Sequence, residues 1–156
     1  MNALAADIEF VPVPDPSAWL DPERIELIRA QFRRIAPQAE LFAEDFYDRL
    51  FARMPQAREL FLGDMREQGA KLTRMLAVLV SRLDTPVLLE APLAQLGQRH
   101  KAYGVTADDF APVGAALLAT LAHRLGAEFD SRAREAWTTV YLRAAAAMQK
   151  PVGEPG

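Results

Sequence analysis

Apolar residues recur along this chain every three to four positions, in runs separated by proline, glycine and short acidic stretches. Asp21-Pro22-Glu23 reads as an N-cap, a proline in the first turn and an early acidic residue. Ile25, Ile28, Phe32 and Ile35 follow at helical spacing, and the helix is predicted to end near Ala36-Pro37. A second helix is predicted from about Pro37 to Met54, carrying Leu41, Phe42, Phe46, Tyr47, Leu50 and Phe51. Pro55 then opens a short helical turn ending at Leu60-Phe61.

After Gly63, Asp64-Met65-Arg66-Glu67 resembles a capping box and opens a helix with Leu72, Met75, Leu76, Leu79 and Leu83 on one face, closed by Asp84-Thr85-Pro86. Val87 to Arg99 reads as weakly helical, interrupted by Pro92 and Gly97. Thr106-Ala107-Asp108-Asp109 caps a helix bearing Phe110, Val113, Leu117, Leu121 and Leu125, which stops at Gly126. A last helix begins near Asp130-Ser131 and carries Ala133, Trp137, Val140, Tyr141, Ala144 and Met148. No segment alternates with period two between hairpin turns, so the chain is predicted to be all-α, with six or seven helices whose short lengths and bent connections suit steep crossings.

The 156 residues, 51% of them hydrophobic, suffice for one domain, predicted over residues 21–150. Residues 1–20 contain Val11-Pro12-Val13-Pro14-Asp15-Pro16 and read as an extended proline-rich leader, and residues 151–156 as a disordered tail. A net charge of −3, with basic residues scattered among acidic ones, leaves no basic face for nucleic acid. There is no cysteine, which excludes disulfides, thiolate catalysis, iron–sulfur clusters and covalent haem attachment. No signal-peptide pattern is present and no apolar stretch approaches the roughly 18 residues that span a bilayer, so no membrane partner and a cytoplasmic location are expected.

The chemistry concentrates in Leu96-Gly97-Gln98-Arg99-His100-Lys101-Ala102-Tyr103-Gly104-Val105. One of only two histidines stands there at the end of an apolar helical segment, where an imidazole can lean into a cavity and offer iron a neutral nitrogen. His123, beside Arg124 near a helix C-terminus, suits the helix dipole and reads as structural.

From Pro22 to Met148 the order of these features resembles the single-domain bacterial globins and the globin domain of flavohaemoglobins. The resemblance is carried by Phe46-Tyr47-Asp48-Arg49-Leu50-Phe51, Pro55 to Phe61, Gln68 with Leu72, Leu96 to Val105, Val113 to Leu121, and Ala136-Trp137 with Tyr141. It implies a globin fold, a 3-over-3 helical sandwich around non-covalent haem b. His100 is then the proximal ligand, Phe61 stacks on the haem, Tyr47 projects over the iron, and Gln68 and Leu72 face the ligand from the distal helix. Tyr103, Val105, Val113 and Leu117 fall among the matched positions that contact haem. Lys71 and Arg99 are candidate partners for the propionates.

The gaseous partners implied are oxygen, nitric oxide and carbon monoxide. Phenol and amide donors from Tyr47 and Gln68 stabilise polarised oxygen more than carbon monoxide, by about 1 kcal/mol or more each in a dry pocket. Flavohaemoglobins continue into flavin and nicotinamide domains, whereas this sequence ends at Gly156, so any reductase is expected to be a separate protein. Their proximal histidine is polarised by a tyrosine and a glutamate. Phe110 stands at the tyrosine position here and the glutamate position falls beyond Met148, near Val152, which weakens the push toward oxygen activation. Reversible oxygen binding is therefore the first expectation, with nitric oxide dioxygenation through a separate reductase, gas or redox sensing, and a haem-free regulatory globin as alternatives. A monomer or homodimer is compatible with all of these.

Overall fold

The computed structural model describes residues 18–61 and 63–150, which form six α-helices and no strand. They are α1 (Pro22–Ile35), α2 (Ala39–Arg53), α3 (Met65–Ser81), α4 (Glu90–Ala102), α5 (Phe110–Leu125) and α6 (Ser131–Met148). Short 3₁₀ turns at Ala36–Gln38, Pro55–Leu60, Pro86–Leu89, Ala107–Asp109 and Gly126–Glu128 join them. Most of the leader and all of the tail lie outside the described residues, but Trp19 and Leu20 are half-buried and pack against the core.

The helix starts follow their capping chemistry. The Asp21, Asp64 and Asp130 side chains accept from the backbone N–H groups of Arg24, Arg66 and Ala133, each at 2.9 Å. Asp64 acts as a simple N-cap, while the reciprocal box forms at Thr106 and Asp109. Gly126 ends α5 with φ of +58°.

One expectation needs correction. The helix of Val87 to Arg99 is not interrupted: α4 runs unbroken from Glu90 to Ala102. Pro92 occupies its first turn, where a backbone N–H has no intrahelical acceptor, so the missing donor costs nothing. Gly97 is buried within the helix, against the main chain of Met148. A second correction concerns length: the helical run Ala107–Glu128 is long and apolar enough, by composition, to cross a membrane. As α5 it instead buries Gly114, Ala116, Leu117, Thr120, Leu121 and Leu125 in the protein.

Helix α2 packs on α3 and α5, α4 on α6, and α1 on α3 and α6. The core holds Phe42, Ile28, Leu83, Leu89, Leu93, Leu121, Trp137 and Val140, all essentially inaccessible. A buried polar link ties α1 to α6: the Trp137 indole N–H donates to Gln31 Oε1 at 2.8 Å, and Gln31 Nε2 donates to the Glu128 carbonyl at 2.8 Å. Arg29 of α1 donates to the carbonyls of Val80 and Ser81 at 3.2 and 3.0 Å, closing the C-terminus of α3. Between α2 and α5, Arg124 donates to the Leu41 carbonyl at 3.2 Å and stands 3.4 Å from Asp45, which also pairs with Arg49 at 2.9 Å.

Candidate functional site

Arg99, His100 and Lys101 form the last turn of α4, where positive charge suits the helix dipole. His100 is half-buried, and its Nδ1 lies 2.9 Å from the Leu96 carbonyl one turn earlier. A carbonyl only accepts, so Nδ1 donates in this contact, and in the neutral ring Nε2 is the nitrogen left to offer a lone pair to a ligand. The same contact fixes the ring's orientation, as backbone carbonyls do for metal-binding imidazoles.

Beyond His100 the chain leaves through a Schellman motif. Val105 N–H donates to the His100 carbonyl and Gly104 N–H to the Lys101 carbonyl, both at 3.0 Å. Gly104 has φ of +98°, a conformation that strains side-chain-bearing residues. A Cβ at Gly104 would lie 3.9 Å from Leu60 Cδ2, so this exit turn meets the turn before Phe61.

A second group of candidates grows from α2 and α3. They cross so closely at Ala43 and Gly69 that a Cβ on Gly69 would stand 2.8 Å from Ala43 Cβ. That crossing places Tyr47, one turn after Ala43, beside Gln68. The Tyr47 hydroxyl donates to the Gln68 carbonyl at 3.5 Å, the long limit of a hydrogen bond. Its ring sits among Phe46, Phe51 and Phe61, with centroids at 5.0, 5.9 and 5.2 Å; the Phe61 ring meets it edge-on at 69°. Burial pushes the Tyr47 phenol up to about 12, so it keeps its proton as a donor.

The remaining sequence candidates divide by exposure. Gln68, Leu72, Phe61, Val105 and Val113 are half-buried, and Leu117 is buried on α5. Lys71 and Arg99 are exposed, and Tyr103 is 69% exposed, directed into solvent. Tyr47 thus meets the Phe61 ring and the Gln68 main chain directly, and His100 stands on a separate helix. Sequence reasoning missed the Leu96 carbonyl as the partner of His100, although its i−4 position was a signal. Phe110, at the position of the family's tyrosine, offers its carbonyl to the Tyr141 hydroxyl at 2.5 Å. Burial pushes that phenol up to about 12 as well.

These residues fit haem. Helices α3 and α4 do not pack extensively on each other, and Phe61, Leu72, Met75, Leu96 and Val113 touch the core while remaining partly uncovered. No group of three or more His, Cys, Asp or Glu suited to a bare metal ion occurs among the described residues. A single oriented imidazole against apolar walls suits a metal whose other ligands come from a planar macrocycle. Two cavities of about 200 Å³ lie elsewhere, one beside Arg34, Gln38 and Arg124 and one beside Phe32, Ala39 and Leu76.

The fold is all-helical, with one histidine oriented at the end of α4 and an aromatic cluster between α2 and the turn before Phe61. The sequence model of the family described as Globin matches residues 44–148, and the chain belongs to the globin family. It is 27% identical over 125 residues to a flavohemoprotein of Bordetella pertussis, covering 78% of this chain and 31% of that protein. It is 30% identical over 139 residues to a neuroglobin of Chaenocephalus aceratus, covering 80% and 87%, and 37% identical over 84 residues to a neuroglobin of Danio rerio, covering 54% and 53%. The chain thus spans about a third of the flavohemoproteins it matches.

Proposed function

We propose that this protein is a haem-b globin that binds oxygen, and nitric oxide, reversibly on the side of the haem opposite His100. The observation that supports the reading is the His100 Nδ1 contact to the Leu96 carbonyl, which orients the ring so that Nε2 of the neutral imidazole is the nitrogen we assign to the iron. Bound haem would supply a ferrous iron with one position open to a diatomic gas. Phe61 and the aromatic residues behind it offer a flat apolar face, and Leu72 and Val113 exclude water. Tyr47, beside the Gln68 main chain, supplies a hydroxyl donor that stays protonated at ordinary pH, and we assign the Gln68 side-chain amide as the second donor. To Lys71 and Arg99, both exposed, we assign the pairing with the propionates at the rim.

The likeness to flavohemoproteins supports a second reading, nitric oxide dioxygenation with a separate reductase, which uses the same donors. Both readings place the protein in the cytoplasm. Cycling the reduced protein between air and argon tests the first. A visible spectrum that changes and returns supports reversible binding, and immediate oxidation without return refutes it. Sustained consumption of nitric oxide on adding a reductase and nicotinamide cofactor selects the second.

A further inference from the structure

Gly97 stands three residues before His100 and faces the last turn of α6 at a distance no other residue would tolerate. A Cβ at Gly97 would lie 1.6 Å from the Met148 carbonyl oxygen, 2.4 Å from its carbon and 2.8 Å from its Cα. Two backbones are therefore in direct contact, with the glycine Cα hydrogens turned toward a carbonyl, as at other close helix crossings. The contact belongs to a longer seam. Leu89, Leu93 and Gly97, spaced by four, are buried on the α4 side, and Ala144 and Ala145 are buried on α6, with Ala147 and Met148 packed against the core. Helices α4 and α6 pack along this seam. The hydrogen bonds of α4 then carry any displacement of Gly97 to His100 within one turn.

We infer that Gly97 and the Met148 main-chain carbonyl form a lock that positions the His100 helix, so that α4 is held in place by the end of α6 before haem arrives. Gly97 is a positioning residue, acting on His100 through the helix. Its effect on haem rests on the reading of His100 as the ligand; its effect on α4 does not. An alanine at Gly97 opens the gap by about 1.4 Å to reach the closest separation that Cβ atoms show, 3.0 Å. Because the Met148 partner is main chain, truncating its side chain leaves the lock intact.

The test is hydrogen–deuterium exchange of the full-length, haem-free protein, read over peptides covering residues 90–102. In the wild type these amides are protected to the level of α5. In Gly97→Ala they exchange at least about tenfold faster, while α1 and α2 are unchanged. Met148→Ala and Gly63→Ala, the latter with nothing within 4 Å of its Cβ, match the wild type. Free exchange of 90–102 in the haem-free wild type, or an unchanged pattern in Gly97→Ala, overturns the lock. Should Gly97→Ala not fold, the wild-type pattern decides. With haem loaded, resonance Raman of the reduced protein gives a shifted iron–imidazole stretch in Gly97→Ala and an unshifted one in Met148→Ala. Failure of the chain to take up haem would defeat the proposed function and leave the exchange result to judge the lock.

Discussion

Replacing Tyr47 with phenylalanine separates ligand stabilisation from protein stability, because the structure gives the hydroxyl almost nothing else to do. The ring contacts with Phe46, Phe51 and Phe61 survive the change. The protein acceptor that is lost is the Gln68 carbonyl, 3.5 Å away, where a hydrogen bond contributes little. Folding stability should therefore move by no more than about 0.5 kcal/mol. The same hydroxyl, donating to polarised oxygen in a dry site, contributes about 1.4 kcal/mol, and its loss speeds oxygen release about tenfold. Carbon monoxide, being less polarised, should show only a small change. Stopped-flow displacement of oxygen, run beside urea denaturation, measures both quantities on one preparation. An oxygen off-rate within about twofold of wild type would remove Tyr47 from the site. A stability loss above about 1.5 kcal/mol would make its hydroxyl a structural group instead.

Other outcomes follow from the same structure. The phenols of Tyr47 and Tyr141 sit at about 12 in the folded protein against 10.0 for the free side chain. Unfolded chains lose these protons first, so the stability both contribute is complete below about pH 10 and declines as pH rises through 12, by about 2 to 3 kcal/mol for buried Tyr47 and by less for half-buried Tyr141, where solvent screens the charge. Urea titrations across that range should show the decline, and a flat profile would mean that the phenols are solvated. Gln31→Leu strands both the Trp137 indole N–H and the Glu128 carbonyl, and should destabilise the fold by about 2 to 5 kcal/mol in chemical denaturation. Gly114→Ala puts a methyl group 2.6 Å from the Tyr141 ring and should cost about 1 to 3 kcal/mol, with a change in tyrosine fluorescence. An unchanged melting temperature would mean that the ring swings clear.

What could be read from the sequence was local. Asp21 before Pro22, Asp130 before Ser131 and Gly126 after Leu125 mark helix ends because caps and stops depend on residues within one turn. Pro92 and Gly97 misled for the same reason. Taken as isolated propensities they argue for a break, yet one falls in a first turn and the other answers to Met148, fifty-one residues away. The all-helical fold and the candidate His100 were legible because long apolar periodicity and a scarce residue type survive without tertiary information, and the family was legible through the resemblance of motifs such as Phe46 to Phe51 and Leu96 to Val105. The Gln31–Trp137 link and the Gly69–Ala43 crossing were not, since each depends on which faces of distant helices meet.

The account turns on His100 as the ligand of an open haem site. The most direct measurement is the visible spectrum of the purified, reduced protein before and after carbon monoxide, for the wild type and for His100→Ala. The prediction is a five-coordinate ferrous spectrum that shifts sharply with carbon monoxide and is lost or altered in the variant. A chain that takes up no haem, or a variant whose spectra match the wild type, would contradict it.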